Sequence, residues 1–216
     1  TEITVRLILA VPNRVTFLGV FCDDQTALNT PLALSKLGVL PSIIEYMDQW
    51  TIDCLQKYVG FEVFSGIEPK PMVLIELDGT AESVVQESSL VENWLKDKSL
   101  SFRKADTEEE AEKLWAVRRQ GSSSMKKLAS TKLNEDVVVP LDRQIQLIQF
   151  VDSLRQTFKL KIGVFGHCGD GNLHVNFMYD EEKGSETEEA VRALHQLMQK
   201  VIELGGAISG EHGVGL

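Results

Sequence analysis

All four histidines lie within the last fifty residues, and three of them are inside two glycine-rich segments. The first segment holds His167 and His174 on either side of the pair Asp170-Gly171. Because an Asp-Gly pair favours a two-residue type I′ turn, we expect a hairpin with this pair at its tip. Counting outward from the tip places His167 opposite His174. Opposed residues share one face with Cβ atoms about 5 Å apart, which allows two imidazoles to bind one metal ion.

The second segment holds Glu211 and His212 between Gly210 and Gly213, where glycines let the backbone approach another group closely. A carboxylate added to two histidines makes a three-ligand site with open positions for substrate or water. His212 is then either a fourth ligand or a general base, because imidazole titrates near neutral pH. The plainer alternatives are a surface hairpin for the first segment and an exposed loop for the second.

Three further polar residues have to be placed relative to this site. Asn176 lies two residues after His174 and projects from the same face of the expected strand. Arg118, in a predicted helix, is either a solvated side chain or a clamp for a small carboxylate. His195 lies on an amphipathic helix and is interpreted as structural. The three cysteines are odd in number and widely spaced, which predicts reduced thiols rather than a disulfide framework.

Composition narrows the class of protein. The 216 residues include 22 Lys and Arg against 32 Asp and Glu, so the formal net charge is −10. Such an acidic balance argues against a nucleic-acid partner, because affinity for phosphates depends on clustered basic residues. With 43% hydrophobic residues, the chain has globular composition. No apolar run approaches the roughly eighteen residues of a membrane span, so no transmembrane segment is expected.

The elements that must position these residues follow a mixed pattern. Strands, helices and a hairpin occur without a regular βαβ repeat or a phosphate-binding glycine fingerprint, which predicts an α+β fold. We expect a mainly antiparallel sheet of two merged, ferredoxin-like sub-sheets, covered by helices on one face. Strands are predicted at 3–9, 15–21, 42–46, 72–78, 100–104 and 135–139, with a hairpin of 162–165 and 173–178; helices are predicted at 25–37, 49–58, 80–96, 106–128, 141–158 and 185–204.

The two glycine-rich segments together resemble the C-terminal domain of FAD-linked oxidases of the vanillyl-alcohol oxidase type. The branch is the one with glycolate oxidase subunit GlcD, D-lactate dehydrogenase and D-2-hydroxyglutarate dehydrogenase. The resemblance is carried by residues 166–176 and 209–215, with weaker matches at 115–118 and 135–140, and it covers nearly the whole chain. It implies that a separate N-terminal domain binds FAD, while a domain like this one caps the flavin and supplies the substrate pocket.

The same resemblance implies roles for the glycine-rich segments. His167, His174 and Glu211 would hold a divalent metal such as Zn²⁺, Mn²⁺ or Fe²⁺. That metal would bind the hydroxyl and carboxylate of a D-2-hydroxy acid and lower the pKa of the hydroxyl. His212 would be the catalytic base that takes the hydroxyl proton while the α-hydride passes to flavin.

Other residues acquire substrate roles from the resemblance alone. Arg118 would bind the substrate carboxylate, and Ser122, one helical turn further, would add a hydrogen bond. Asn176 would line the pocket and, with His212, adjoin the flavin. Relatives that take dicarboxylates carry a basic residue where this chain has Asn134, with Lys132 two positions earlier. This departure argues against a dicarboxylate substrate and leaves a monocarboxylate such as lactate or glycolate open.

The expected function is therefore that of a substrate-binding and catalytic cap in an FAD-dependent oxidoreductase acting on CH–OH groups. We expect residues 1–216 to be one cap domain truncated at both ends, without an FAD-binding domain and inactive alone. The expected location is cytoplasmic, with attachment to the inner membrane only through other oxidase subunits. The alternatives are a stand-alone metalloenzyme with two histidines and one carboxylate, and an inert interaction domain.

Overall fold

A seven-stranded sheet is the centre of the described residues, 2–7, 13–59 and 69–211 of a computed structural model. Its strands are β1 (Asn13–Val20), β2 (Ile43–Met47), β3 (Met72–Gly79), β4 (Ser101–Ala105), β5 (Thr131–Val138), β6 (Lys161–Gly166) and β7 (Asn172–Tyr179). All strand pairings are antiparallel, and the order is β4-β1-β3-β2-β6-β7-β5. Residues 3–7 of the predicted first strand, 3–9, belong to no strand, and residues 8 and 9 lie outside the described residues.

The sheet consists of two halves with related strand orders. The first half is β4-β1-β3-β2 and the second is β6-β7-β5. Ala207 forms an antiparallel bridge with Val138 at the edge of β5, in the position that β4 occupies beside β1. The halves join where β2 pairs with β6, with Tyr46 opposite Gly166. The predicted α+β class and the mainly antiparallel sheet of two merged sub-sheets are confirmed.

Seven α-helices connect the strands within the described ranges. They are α1 (Asp24–Leu28), α2 (Thr30–Lys36), α3 (Gln49–Tyr58), α4 (Ala81–Lys98), α5 (Glu108–Met125), α6 (Gln144–Phe158) and α7 (Gly184–Glu203). Pro31 at the start of α2 divides the helix predicted at 25–37, because proline cannot donate a helical hydrogen bond. Thr107 and Glu110 form a capping box that begins α5. None of these helices has the length and apolarity of a membrane span.

The two faces of the sheet are covered by different helices. On one face, α1, α2, α4, α6 and α7 enclose the larger apolar core, which includes Phe17, Tyr46 and Val175. On the other face, α3 and α5 enclose a smaller apolar cluster that includes Met47 and Leu74. The expectation that helices cover one face is therefore wrong for this second region. The reason is topological: α3 is inserted between β2 and β3, and α5 links the two halves across the face that the other helices leave open.

Candidate metal and substrate site

Polar side chains gather on the face of the sheet that carries α3 and α5. Glu45 precedes the core residue Tyr46 in β2, and His174 and Asn176 flank the core residue Val175 in β7. Because successive strand residues point to opposite faces, the strands that build the core also present these polar groups on the other side. Part of the site is therefore built on strand positions of the sheet.

The β6–β7 hairpin has a register two residues away from the predicted one. Phe165, rather than His167, lies opposite His174, and the connection is longer than two residues. Gly171 has φ +78°, and a Cβ there would lie 2.1 Å from the carbonyl oxygen of Val139, so packing against Val139, the residue after β5, shapes this turn. A shift of two residues keeps every side chain on its face. His167 and His174 therefore still meet, with ring centroids 5.5 Å apart.

The two histidines and Glu211 form a group of potential metal ligands. One ligand atom from each of His167, His174 and Glu211 lies within 4.8 Å of the others. His167 Nε2 is 3.1 Å from Glu211 Oε1. Imidazole nitrogens and a carboxylate oxygen suit Zn²⁺, Mn²⁺ and Fe²⁺, and a set of three leaves further positions open. These donors fit the kind of metal that the resemblance implies.

The segment after α7 brings Glu211 to the histidines. The Gly210 amide donates to the Asp136 carbonyl at 3.0 Å, and the Glu211 amide donates to Asp136 Oδ2. Asn172 Nδ2 donates to Glu211 Oε1 at 3.1 Å. A Cβ on Gly210 would lie 2.8 Å from Asn172 Nδ2 and 2.9 Å from Asp136 Oδ1, so a side chain would collide there. The predicted close backbone approach at this glycine is confirmed.

Glu45, which the motif analysis did not single out, connects two of the candidate residues. Its side chain is 3% exposed; Oε1 bonds His167 Nδ1, and Oε2 accepts from Arg118 Nε at 2.6 Å. The Arg118 guanidinium also lies 4.5 Å from the centroid of the Phe165 ring. Burial opposes ionisation of Glu45, but its hydrogen bond to His167 and the charge of Arg118 hold its pKa below the usual range. Glu45 is thus a buried carboxylate with a cationic partner.

The two histidines have opposite pKa shifts. The hydrogen bond with Glu45 raises the pKa of His167, and the charges of Glu45 and Glu211 add to this. Burial lowers the pKa of His174, and the positive charge of Arg118 adds to that effect. His174 therefore favours the neutral form, which is the form that can bind a metal, whereas His167 holds its proton more tightly.

Lys132 also lies in this site. Its Nζ donates to Ser122 Oγ at 3.0 Å and to Asn176 Oδ1 at 2.6 Å. Burial lowers the pKa of Lys132 to about 8, and the charge of Lys126 contributes. The sequence contained a signal for this placement, because Lys132 and Asp136 are an even number of residues apart in one strand and share a face.

Helix α5 brings two of the predicted substrate residues to the site. Arg118 contacts Glu45, and Ser122, one turn further along, contacts Lys132. The predicted base His212 lies outside the described residues. His195 is exposed on α7, which packs on the opposite face of the sheet.

A cavity opens beside the histidine turn. It has a volume of about 470 Å³ and is lined in part by His167, Glu45, Val39, Ile43 and Trp115. This size is within the usual range for small-molecule sites.

Comparison with known proteins gives matches along the chain. The family described as FAD linked oxidases, C-terminal domain, matches residues 11–216. The glycolate oxidase subunit GlcD of Bacillus subtilis (strain 168) is 32% identical over 216 residues, which cover 100% of this chain and 46% of that protein. The D-lactate dehydrogenase of Anaerostipes hadrus is 27% identical over 226 residues, 100% of this chain and 47% of that protein. The chain thus spans about half the length of these curated relatives.

Solved structures share the fold at low sequence identity. A p-cresol methylhydroxylase with substrate bound superposes with a TM-score of 0.66 at 13% identity, over 92% of this chain and 45% of that chain. The 4-ethylphenol oxidase of Gulosibacter chungangensis also gives a TM-score of 0.66, at 11% identity, over 94% of this chain and 46% of that chain. These similarities concern the architecture alone.

Proposed function

The chain belongs to the family of FAD linked oxidase C-terminal domains, and on this premise we propose that it is the substrate-binding and catalytic cap of a flavin-dependent D-2-hydroxy-acid dehydrogenase or oxidase. The observation that supports this best is the convergence of His167, His174 and Glu211, with Arg118 and Lys132 nearby. The names of the relatives favour a small hydroxy acid of the glycolate or D-lactate type. A separate domain would hold most of the FAD.

His167, His174 and Glu211 would hold the divalent metal. When bound, the metal would act as a Lewis acid that lowers the pKa of the substrate hydroxyl. Glu211 is held in position before any metal binds, because Asp136 and Asn172 form hydrogen bonds with it. Outer contacts of this kind orient metal ligands and tune their basicity.

Two cationic side chains would bind the substrate carboxylate. Arg118 uses Nε to contact Glu45, so its terminal Nη groups are the ones to meet a carboxylate through paired hydrogen bonds. Lys132 lies between Ser122 and Asn176 and adds a second positive charge. With a net charge of −10 on the chain, this local positive centre would attract an anionic substrate into the site.

Oxidation of the hydroxy acid removes a hydride from C2 and a proton from the C2 hydroxyl, which leaves the 2-oxo acid. FAD supplies the hydride acceptor when bound. His212 would take the hydroxyl proton as a general base, and Asn176 would line the pocket and, with His212, adjoin the flavin. Proton and hydride therefore leave the substrate to different acceptors.

The relatives also suggest an assembly. The proteins named GlcD are called glycolate oxidase subunits, which supports partner subunits for the protein that contains this domain. A cytoplasmic location, with membrane contact made by those partners, is the corresponding proposal. Copurification of the protein with other polypeptides after cell fractionation would test both.

Metal binding gives the most direct test of the site. His167→Ala and His174→Ala should each abolish the stoichiometric uptake of Zn²⁺ or Mn²⁺, since each removes one of three ligands. His195→Ala is the matched control, because His195 is exposed on α7 and should leave metal uptake unchanged. Elemental analysis after dialysis measures the bound metal. Full metal content in both site variants would contradict the assignment.

Flavin reduction tests the reaction itself. In the full protein, which joins this domain to its FAD-binding domain, anaerobic D-lactate or glycolate should bleach the flavin absorbance, and prior removal of metal with a chelator should slow the bleaching strongly. Bleaching that is unaffected by chelation would remove the metal from the reaction. Metal-dependent turnover without any flavin would instead identify a stand-alone metalloenzyme.

A further inference from the structure

A buried carboxylate lies on β2, outside the glycine-rich segments. Glu45 is 3% exposed, and such a charge is costly to bury unless it is paired and hydrogen-bonded. Each of its oxygens has one partner: Oε1 contacts His167, and Oε2 contacts Arg118. One partner comes from the β6–β7 turn and the other from α5, so a single side chain joins two separate elements at the site.

We propose that Glu45 is a positioning residue that orients His167 toward the metal and holds Arg118 at the substrate carboxylate. The inference rests on the proposed function and extends it to a residue that itself contacts neither metal nor substrate. Its basis is the geometry of the two hydrogen bonds, which reach Nδ1 of the imidazole and Nε of the guanidinium.

The contact with His167 determines which imidazole nitrogen can bind a metal. An ionised carboxylate only accepts hydrogen bonds, so Nδ1 of His167 must carry the donated hydrogen. Nε2 is left as the ligand atom, and it is this nitrogen that lies 3.1 Å from Glu211 Oε1. A carboxylate on the far nitrogen fixes the tautomer and the ring orientation of a metal-binding histidine.

The contact with Arg118 determines how the guanidinium faces the site. Glu45 binds Nε from one side, while the guanidinium lies over the Phe165 ring at 4.5 Å. The terminal Nη groups are consequently the part of Arg118 that can meet a ligand. Glu45 also supplies a negative charge between two groups, a metal ion and Arg118, that would otherwise repel each other.

Glu45→Gln tests this role because an amide has only one acceptor oxygen and would direct N–H groups at one of its two donor partners. We expect the affinity of the chain for Zn²⁺, measured by competition with a chelator, to fall by about 10- to 100-fold. The matched control is Glu76→Gln. Glu76 is a buried carboxylate on the neighbouring strand β3, bonded to Trp115 Nε1 at 2.8 Å and to Thr16 Oγ1 at 3.2 Å. The affinity of the Glu76→Gln variant for Zn²⁺ should remain that of the wild type.

A second variant separates positioning from folding. Glu45→Asp keeps the charge but shortens the side chain, so it should fold and still lose part of the affinity, less than the Gln variant loses. In the flavin-loaded protein, both variants should raise KM for the hydroxy acid through Arg118. Wild-type Zn²⁺ affinity in a folded Glu45→Gln or Glu45→Asp protein would overturn the proposal.

Nuclear magnetic resonance provides a readout that needs neither metal nor turnover. In ¹⁵N-labelled wild-type chain, His167 should show a hydrogen-bonded Nδ1 proton, and this signal should be lost or shifted in Glu45→Gln but not in Glu76→Gln. If the wild type binds no metal but shows this proton, the proposed metal site fails while the positioning of His167 stands. A wild-type His167 without an Nδ1 proton would overturn the positioning role.

Discussion

The two faces of the sheet differ although the same strands build them. On one face of β7, Leu173, Val175 and Phe177 are fully buried among apolar side chains. On the other face, His174 and Asn176 meet polar groups from β5 and the β6–β7 turn. Alternate residues of one strand therefore have different roles: one set packs in the apolar core, and the other set contributes polar groups to the candidate site. A substitution on one face should therefore alter stability, and one on the other face should alter ligand binding.

The largest expected effect is on the apolar face. Phe177→Ala removes a fully buried ring and leaves a cavity, which should lower the free energy of unfolding by about 3 to 5 kcal/mol. His174→Ala, three positions earlier on the polar face, should cost much less stability while abolishing metal binding. Urea denaturation of the two variants measures the difference. Equal losses of stability would show that the faces are not divided in this way.

A smaller effect is expected from the polar face. Lys132→Met should raise KM for the hydroxy acid about tenfold or more, because a charged hydrogen bond to the carboxylate is worth roughly 1.5 to 3 kcal/mol. Since the pKa of Lys132 is lowered to about 8, the wild-type KM should rise as pH passes through 8, and the variant should lack this rise. Lys200→Met on α7 serves as the control. Steady-state kinetics between pH 6 and 9, a range that includes the Lys132 pKa of about 8, measure KM for both variants. If KM of the Lys132→Met variant and KM of the Lys200→Met variant changed alike with pH, the assignment would be refuted.

The smallest expected effect concerns a polar contact on the apolar face. Tyr46 donates to Asp24, and burial raises the pKa of Asp24 to about 6 from 3.8, with the charges of Asp48 and Asp152 adding to this. The folded state therefore binds the proton more tightly than the unfolded state, and stability declines as pH rises from about 4 through 6. Asp24→Asn, which can still accept from Tyr46, should raise Tm by a few degrees at pH 8.

A comparison of the Asp24→Asn variant with the wild type at low pH is the control for this prediction. Below pH 4, where Asp24 is protonated in both folded and unfolded states, the variant and the wild type should unfold at similar temperatures. Differential scanning calorimetry at pH 8 and near pH 4 compares them. A variant that is less stable than the wild type at pH 8 would indicate that the carboxylate, not its burial, matters for the fold.

Much of the local structure was predictable from sequence. Helix α3 coincides with the predicted 49–58, because Asp48 caps its first turn and the apolar spacing is helical. The prediction at 141–158 was less accurate, since residues 141–143 form a 3-10 turn after Pro140 before α6 begins. The three proposed metal ligands lie in glycine-rich segments, and the residue types and spacing of these segments were enough to predict them.

Other parts of the site could not be predicted from local sequence patterns. Glu45 lies 122 positions from His167, and Lys132 lies 44 positions from Asn176. These pairs meet only because β2 pairs with β6 and β5 with β7. No local pattern encodes such pairings, so the sequence motifs identified the histidine and the asparagine as site residues but neither Glu45 nor Lys132 as their partners.

The sequence by itself determined the kinds of element, the identity of the residues proposed as metal ligands and the face on which each strand residue lies. These properties depend on neighbouring residues, through backbone propensity and the two-residue period of a strand. The tertiary structure alone decided the order of the strands, the hairpin register and the placement of α5 across the polar face. Those choices depend on contacts between distant segments, where packing such as that of Gly171 against Val139 outweighs the local preference of an Asp-Gly turn.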